Sequence, residues 1–413
     1  MRLPLQLSRS LIAGALACLT MPVMAQSPVI VHVLYNQASN DVNGFAAGPV
    51  AHVGSQFWSG GLQRTMKQAA MTPQTALLVG GKEGNEGWTR GIEGDTPNHE
   101  PVNIHLSAIA QDGSKLIGNL APTWLPDQAH AFCISDAQKG QYQMAPDAGD
   151  VSVVNASSLN GDVVVGGVGT GDQQRAFAWG CGSTGLDLIG SLGGRSQATA
   201  ISRRGDYIAG EADGSTFSGH AFLFDSVNSK QIQDLGSPGN AAVRPVAVSD
   251  GGQVVAATYD AGTASQSVVY VKGLGWRNLG TLGGRYAVTV AMSRDGKTVM
   301  GYSAPATGFD HVFLFNQVME DLGTLPGAQD FRPAAMSDDG KVVIGAVQVN
   351  QQPHAFYYSA ATGLVDMNAD LARTFANDGV VQSRFTALSA DGHVVSGDFT
   401  DQQGVQHAFA ILL

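Results

Sequence analysis

One phrase, A-x-S-x-D-G-x-V-V-x-G, is written seven times along this chain, and no other feature limits its fold as severely. The copies read SAIAQDGSKLIG from Ser107, NASSLNGDVVVGG from Asn155, ATAISRRGDYIAG from Ala198 and VAVSDGGQVVAA from Val246. They continue with VAMSRDGKTVMG from Val290, AAMSDDGKVVIG from Ala334 and TALSADGHVVSG from Thr386. The turn glycines Gly113, Gly161, Gly205, Gly252, Gly296, Gly340 and Gly392 are spaced by 48, 44, 47, 44, 44 and 52 residues. A unit of that size cannot bury an apolar face alone, so neighbouring copies must stack.

Each unit divides into four short strands. The A-x-A-I-S portion alternates as a half-buried strand does. The Asp-Gly or Asn-Gly step is a hairpin signal with Gly at positive φ. V-V-x-G follows as the second strand. A third comes as HAFCI at His130, RAFAW at Arg175, HAFLF at His220, SVVYV at Ser267, HVFLF at His311, HAFYY at His354 and HAFAI at His407. The fourth ends at LDLIGSLGG from Leu186, QDLGSPG from Gln233, RNLGTLGG from Arg277 and EDLGTLPG from Glu320. Four strands in under fifty-odd residues make one blade of a β-propeller. The fold class expected is therefore all-β, a single propeller. With 53 glycines in 413 residues, a mainly helical chain is excluded in any case.

These lines resemble the HAF-family extracellular repeat, named for its His-Ala-Phe triplet. The resemblance covers about three quarters of the chain. It implies a repeat architecture outside the cytoplasm and transfers no activity. A degenerate copy near 66–100 aligns Ala69–Thr72 and Leu77–Gly80 with Ala334–Ser337 and Val342–Gly345, the Asp-Gly turn being lost. Counting it gives eight four-stranded blades of about 48 residues each; seven would need about 55, longer than any spacing present. Eight is the expectation and seven the alternative. The final unit stops after its third strand, so the run from residue 29 to residue 34 is expected to pair beside it and close the ring.

Arg2 and Arg9, the apolar run Leu11–Met21 and the small-residue site Val23-Met24-Ala25 form the n-region, h-region and cleavage site of a signal peptide. Residues 1–25 are expected to be removed, leaving 26–413 as one secreted domain, extracellular or periplasmic and monomeric. No later run is long enough to span a bilayer. Cys133 and Cys181 then remain in an oxidising compartment, as a disulfide or as two buried thiols. A net charge of −11 with 23 basic residues argues against nucleic acid as partner.

The repeated His occurs once per blade and cannot converge on one substrate; a hydrogen bond inside its own blade is expected of it. Asp112, Asp295, Asp339 and Asp391 should brace their own turns, and the triplet Phe residues should form core between blades. Function belongs on the face that carries the longer, variable loops, which include Trp124, Phe217, Tyr259 and Phe309, with Tyr302 and Phe399 beside them. The starting positions of the innermost strands should ring the channel: Lys67, His105, Val153, Gln197, Arg244, Val288, Arg332 and Arg384, with Arg195 and Arg285 just outside. Such a basic mouth would recognise an anionic polysaccharide or an extracellular protein. Alternatively, each Arg pairs with a nearby acid such as Asp330 and ties blades together. An enzyme reading also stands: a polysaccharide lyase acting on a uronic glycan, with His105 as base or acid, Tyr286 as its partner and the arginines as carboxylate clamp. No metal or cofactor is expected, since zincin, hydrolase and phosphate-loop patterns are all missing from the sequence.

Overall fold

A computed structural model describes the strand residues 32–39, 43–53, 56–67, 70–71, 75–82 and 85–93. It also describes 102–413 apart from 123–124, 126, 137–140, 147–149, 215–218 and 263. The expected signal peptide and Trp124 lie outside the described residues.

Seven sheets have four strands each. In chain order they are blades I (102–144), II (152–190), III (193–236), IV (243–278), V (283–321), VI (328–366) and VII (380–412). Within each of blades I to VI the strands form an antiparallel meander, the innermost first. Blade VII supplies only three strands of its own, and His32–Ser39 pairs antiparallel with Gln406–Leu412, from His32 opposite Leu412 to Ser39 opposite Gln406.

The count of four-stranded blades is thus seven and not the expected eight. The upstream segment forms a five-stranded sheet, in which Thr75–Lys82 pairs with Gln56–Lys67 and with Asn85–Glu93. Ala70–Met71, expected to open the degenerate unit, is a two-residue strand off that path. The sequence here lacks the Ser-x-Asp-Gly turn, and the long strand Gln56–Lys67 pairs with both Ala70–Met71 and Thr75–Lys82. Asn43–Val53 of this sheet lies against blade VII and against the first strand of blade I. Val50 packs there with Val394, Ala410 and Leu412, and Ala51 with Ile104 and Leu106.

The repeat residues explain the blade. In the turn after the first strand, Ser293 Oγ accepts the Thr298 N–H at 2.9 Å and donates to Asp295 at 2.8 Å; Ser337 and Ser389 do the same with Val342 and Val394. Gly296 and Gly340 sit at φ 76° and 73°, which any side chain would strain. The second-strand glycine has a different reason. A Cβ on Gly301 would collide with the Val288 carbonyl and stand 2.6 Å from Phe313 Cζ, so the Phe of the third strand occupies the space that Gly vacates. Phe177, Phe222, Phe313, Phe356 and Phe409 are all fully buried. At the equivalent positions blade IV carries Ala257 opposite Val268, a larger residue facing a smaller one.

The triplet His residues stay within their blades. His220 Nδ1 meets Asp234 at 3.0 Å, His311 meets Asp321 at 3.0 Å and His354 meets Asp366 at 2.7 Å. In these three blades the partner is the Asp of the fourth strand; in blade VII His407 Nε2 meets Asp401 of the second strand at 3.1 Å. Cys133 and Cys181 are joined across blades I and II, their Cα atoms 5.8 Å apart. Asn368–Thr374 is an α-helix where the repeat would place a plain connection, and it buries Leu371 with Met367 and Phe375 on either side.

Candidate functional site

Each first strand begins on the wide face and ends at the Ser-x-Asp-Gly turn, so residues near its start meet at the channel mouth. Four of the arginines placed there by sequence are bound to aspartates. Arg195 Nε lies 2.8 Å from Asp213, Arg244 Nη2 2.8 Å from Asp260, Arg384 Nη2 3.0 Å from Asp398 and Arg332 Nη1 2.6 Å from Asp310. The first three pairs link the first and second strands of one blade. The fourth reaches back from blade VI to the loop of blade V. These four arginines thus follow the alternative that the sequence allowed, each beside an acid. Asp330, the acid named from the sequence as an example of a nearby partner, accepts the Asp310 N–H at 3.5 Å.

The most developed cluster surrounds Asp310. Its side chain is 3% exposed, one oxygen accepting from Tyr286 Oη and the other from Arg332. The Arg332 guanidinium lies 4.6 Å above the Tyr302 ring, and Tyr286 and Tyr302 meet edge to face. Burial, and then the hydrogen bond to Asp310 and its charge, push the Tyr286 phenol up to about 12. A phenol held protonated to that pH is a poor proton acceptor near neutrality. His105 is exposed on blade I, and blades II, III and IV separate it in sequence from Tyr286 on blade V. The Tyr286 hydroxyl is taken up by Asp310.

A second polar group lies between blades III and IV. Burial raises the Glu211 carboxyl above its ordinary range, opposed by Arg195 and Arg244 and reinforced by Asp213 and Asp260. Arg285 is exposed. Lys67 ends the strand Gln56–Lys67, and its side chain lies outside the described residues, as does Phe217. Phe399, expected beside the variable loops, is fully buried and stacks on Phe375 and His407. Among the described residues, no group of three or more His, Cys, Asp or Glu is arranged to hold a metal, and no helix is long and apolar enough to cross a membrane.

The opposite end of the channel holds residues the sequence reading passed over. They occupy the x of S-x-D-G: Gln111, Leu159, Arg203, Asp250, Arg294, Asp338 and Ala390. Their backbones hand hydrogen bonds from blade to blade. The N–H groups of Gln111, Leu159, Asp250, Arg294 and Asp338 donate to the carbonyls of Leu159, Arg203, Arg294, Asp338 and Ala390 at 2.9–3.0 Å. Between blades III and IV, Arg203 N–H donates to Asp250 Oδ1 at 3.0 Å. The alternation of Arg and Asp at this position was the signal available in the sequence.

Solved structures place this architecture. A prolyl endopeptidase superposes with TM-score 0.54 at 12% identity, covering 90% of this chain and 55% of that one. Porphyromonas gingivalis dipeptidyl peptidase 4 gives 0.56 at 9%, covering 92% and 59%. The β-propeller domain of the Trilobed protease from Pyrococcus furiosus gives 0.50 at 10%, covering 78% of this chain and 95% of that domain. The chain is a β-propeller. It spans little more than half the length of the two peptidases, and at these identities the likeness is one of fold alone. No family model matches the sequence, and no curated protein matches it.

Proposed function

We propose that this propeller is an exported binding protein of the HAF-repeat type that engages an extracellular protein partner with its wide face. The observation that carries the reading is the pairing of Arg195, Arg244, Arg332 and Arg384 with Asp213, Asp260, Asp310 and Asp398. A polyanion would find the charge of each rim arginine already offset, in open solvent, by an aspartate. A protein surface carrying both signs meets both members of such pairs, and gains orientation from the alternation. The half-buried Tyr302 and the exposed Phe309 add the aromatic area that protein interfaces favour. The lyase reading is weakened by the commitment of Tyr286, the partner proposed for His105, to Asp310, and an anionic polysaccharide becomes the second choice of ligand.

Two further readings belong with this one. The strand His32–Ser39 fastens the ring shut at blade VII, and residues 1–25 direct export and leave with it. Amino-terminal sequencing of the secreted protein would find residue 26 first; retention of Met1 would remove the export reading.

The binding test uses purified 26–413 protein on a biosensor, presented in parallel with heparin, polygalacturonate and a peptide library selected for binding. Selected peptides should carry both acidic and basic residues, and Arg332→Ala with Arg384→Ala should weaken them by roughly tenfold or more. Polyanions should bind only at low salt. Tighter binding to either polyanion than to any selected peptide, or peptide affinity unmoved by the double substitution, would overturn the proposal.

A further inference from the structure

The channel is open at the wide face and built over at the other end. Arg203 on blade III forms an ion pair with Asp338 on blade VI, although blades IV and V lie between them in sequence. Side chains that meet over that separation must reach across the axis. Arg294 pairs with Asp250, and Arg203 also reaches Gln111 at 3.4 Å. Together with the blade-to-blade hydrogen bonds of their backbones, these groups make a floor. Above it lies a cavity of about 360 Å³, walled by the first strands of blades II, III and IV and ending on Arg203, Asp250, Arg294 and Asp338. That volume is in the range of small-molecule sites.

The two guanidiniums of this floor are not equivalent. The Arg203 side chain is 18% exposed and held from two sides, and burial followed by the nearby Arg294 charge lowers its basicity. The Arg294 side chain is 43% exposed and contacts Asp250 through Nε, which leaves its terminal nitrogens directed to no acid among the described residues. A guanidinium carries five N–H donors in a flat fork, so most of Arg294's donors remain available to a ligand. A planar anion placed there would offset the repulsion between the two arginines. The neighbouring Asp250 and Asp338 disfavour a doubly charged oxyanion more than a singly charged carboxylate.

We propose that the blind end of the channel binds a small carboxylate-bearing molecule, gripped by the terminal nitrogens of Arg294 and backed by Arg203. The site is separate from the wide-face surface, and its ligand enters through that open mouth.

Calorimetric titration of the mature protein with acetate, succinate, glutarate and glutamate, beside sulfate and phosphate, tests this. At least one carboxylate should bind saturably, and Arg294→Gln should weaken it by roughly tenfold or more, since a charge-assisted hydrogen-bond pair is lost. Arg294→Lys keeps the charge without the fork and should weaken binding as well, which covers a fold too damaged in the first variant. Arg373→Gln, on the exposed face of the helix Asn368–Thr374, should leave the affinity unchanged. The proposal fails if no carboxylate saturates, if Arg373→Gln costs as much as Arg294→Gln, or if sulfate or phosphate binds as tightly as the best carboxylate, meaning an adventitious ion only.

Discussion

At the scale of single residues, the repeat encodes steric pairs more than chemical groups. Gly301 and Phe313 share one volume, and blade IV shows the exchange already made, with Ala257 facing Val268. We therefore expect Gly301→Ala to destabilise by about 2–3 kcal/mol through overpacking and Phe313→Val to cost about 2–3 kcal/mol through the cavity it leaves. The double variant should cost clearly less than the sum, because the two sites are coupled. Chemical denaturation of the four proteins reads this directly; strict additivity would show that the glycine is needed only for the Val288 carbonyl. The sequence displayed Gly and Phe at fixed positions but not that they touch, since they lie on different strands. The same holds for the histidines: a bond within the blade was legible, while the Asp321 partner of His311, ten residues onward, was not. His311→Ala should accordingly lower stability by about 1 kcal/mol without changing any ligand affinity, the loss expected of one hydrogen bond.

At the scale of elements, the Ser-x-Asp-Gly turn was fully legible because all its contacts are local. Its electrostatics yield a pH prediction. A hydrogen bond from Lys297, outweighing slight burial, holds the Asp295 carboxyl down to about 2; Lys341 and Ser337 hold Asp339 below its usual range against the opposing effect of burial. A carboxyl depressed on folding contributes stability above its unfolded value, near 4, and loses it as pH falls toward the folded value. The melting temperature should thus drop between about pH 4 and pH 2, and Asp295→Asn with Asp339→Asn should flatten that limb. An unchanged acid limb in the double variant would assign it to other carboxyls. Elements that depart from the repeat were not legible. The 52-residue spacing before Gly392 announced extra chain, but only packing shows that Met367, Leu371 and Phe375, spaced by four, turn it into a helix over the core. Loss of one turn upstream likewise hid the five-stranded sheet, whose register follows from a long strand that no repeat copy contains.

At the scale of the whole molecule, positions around the mouth could be read by counting back from each turn, but charge could not. Arg195, Arg244 and Arg384 are cancelled by aspartates fourteen to eighteen residues later on the neighbouring strand, and Arg332 by one from the preceding blade. Counting finds where a side chain begins, and only cross-strand register finds what it meets. One joint between blades carries a disulfide, and one blade is completed by a strand from far upstream. Cys133–Cys181 closes a 48-residue loop between blades I and II, which the chain-entropy account values at about 4 kcal/mol. At blade VII the upstream strand is His32–Ser39, paired with Gln406–Leu412. Removing residues 26–40 should do what reducing the disulfide does not. Both changes should lower the melting temperature, but only the truncation bares the edge of a strand whose residues 407–412 are all buried. Light scattering should then show concentration-dependent dimers or larger species for the truncated protein and monomers for Cys133→Ser with Cys181→Ser. A truncated chain that stays monomeric and melts with the full-length protein would mean that the ring does not depend on its first strand.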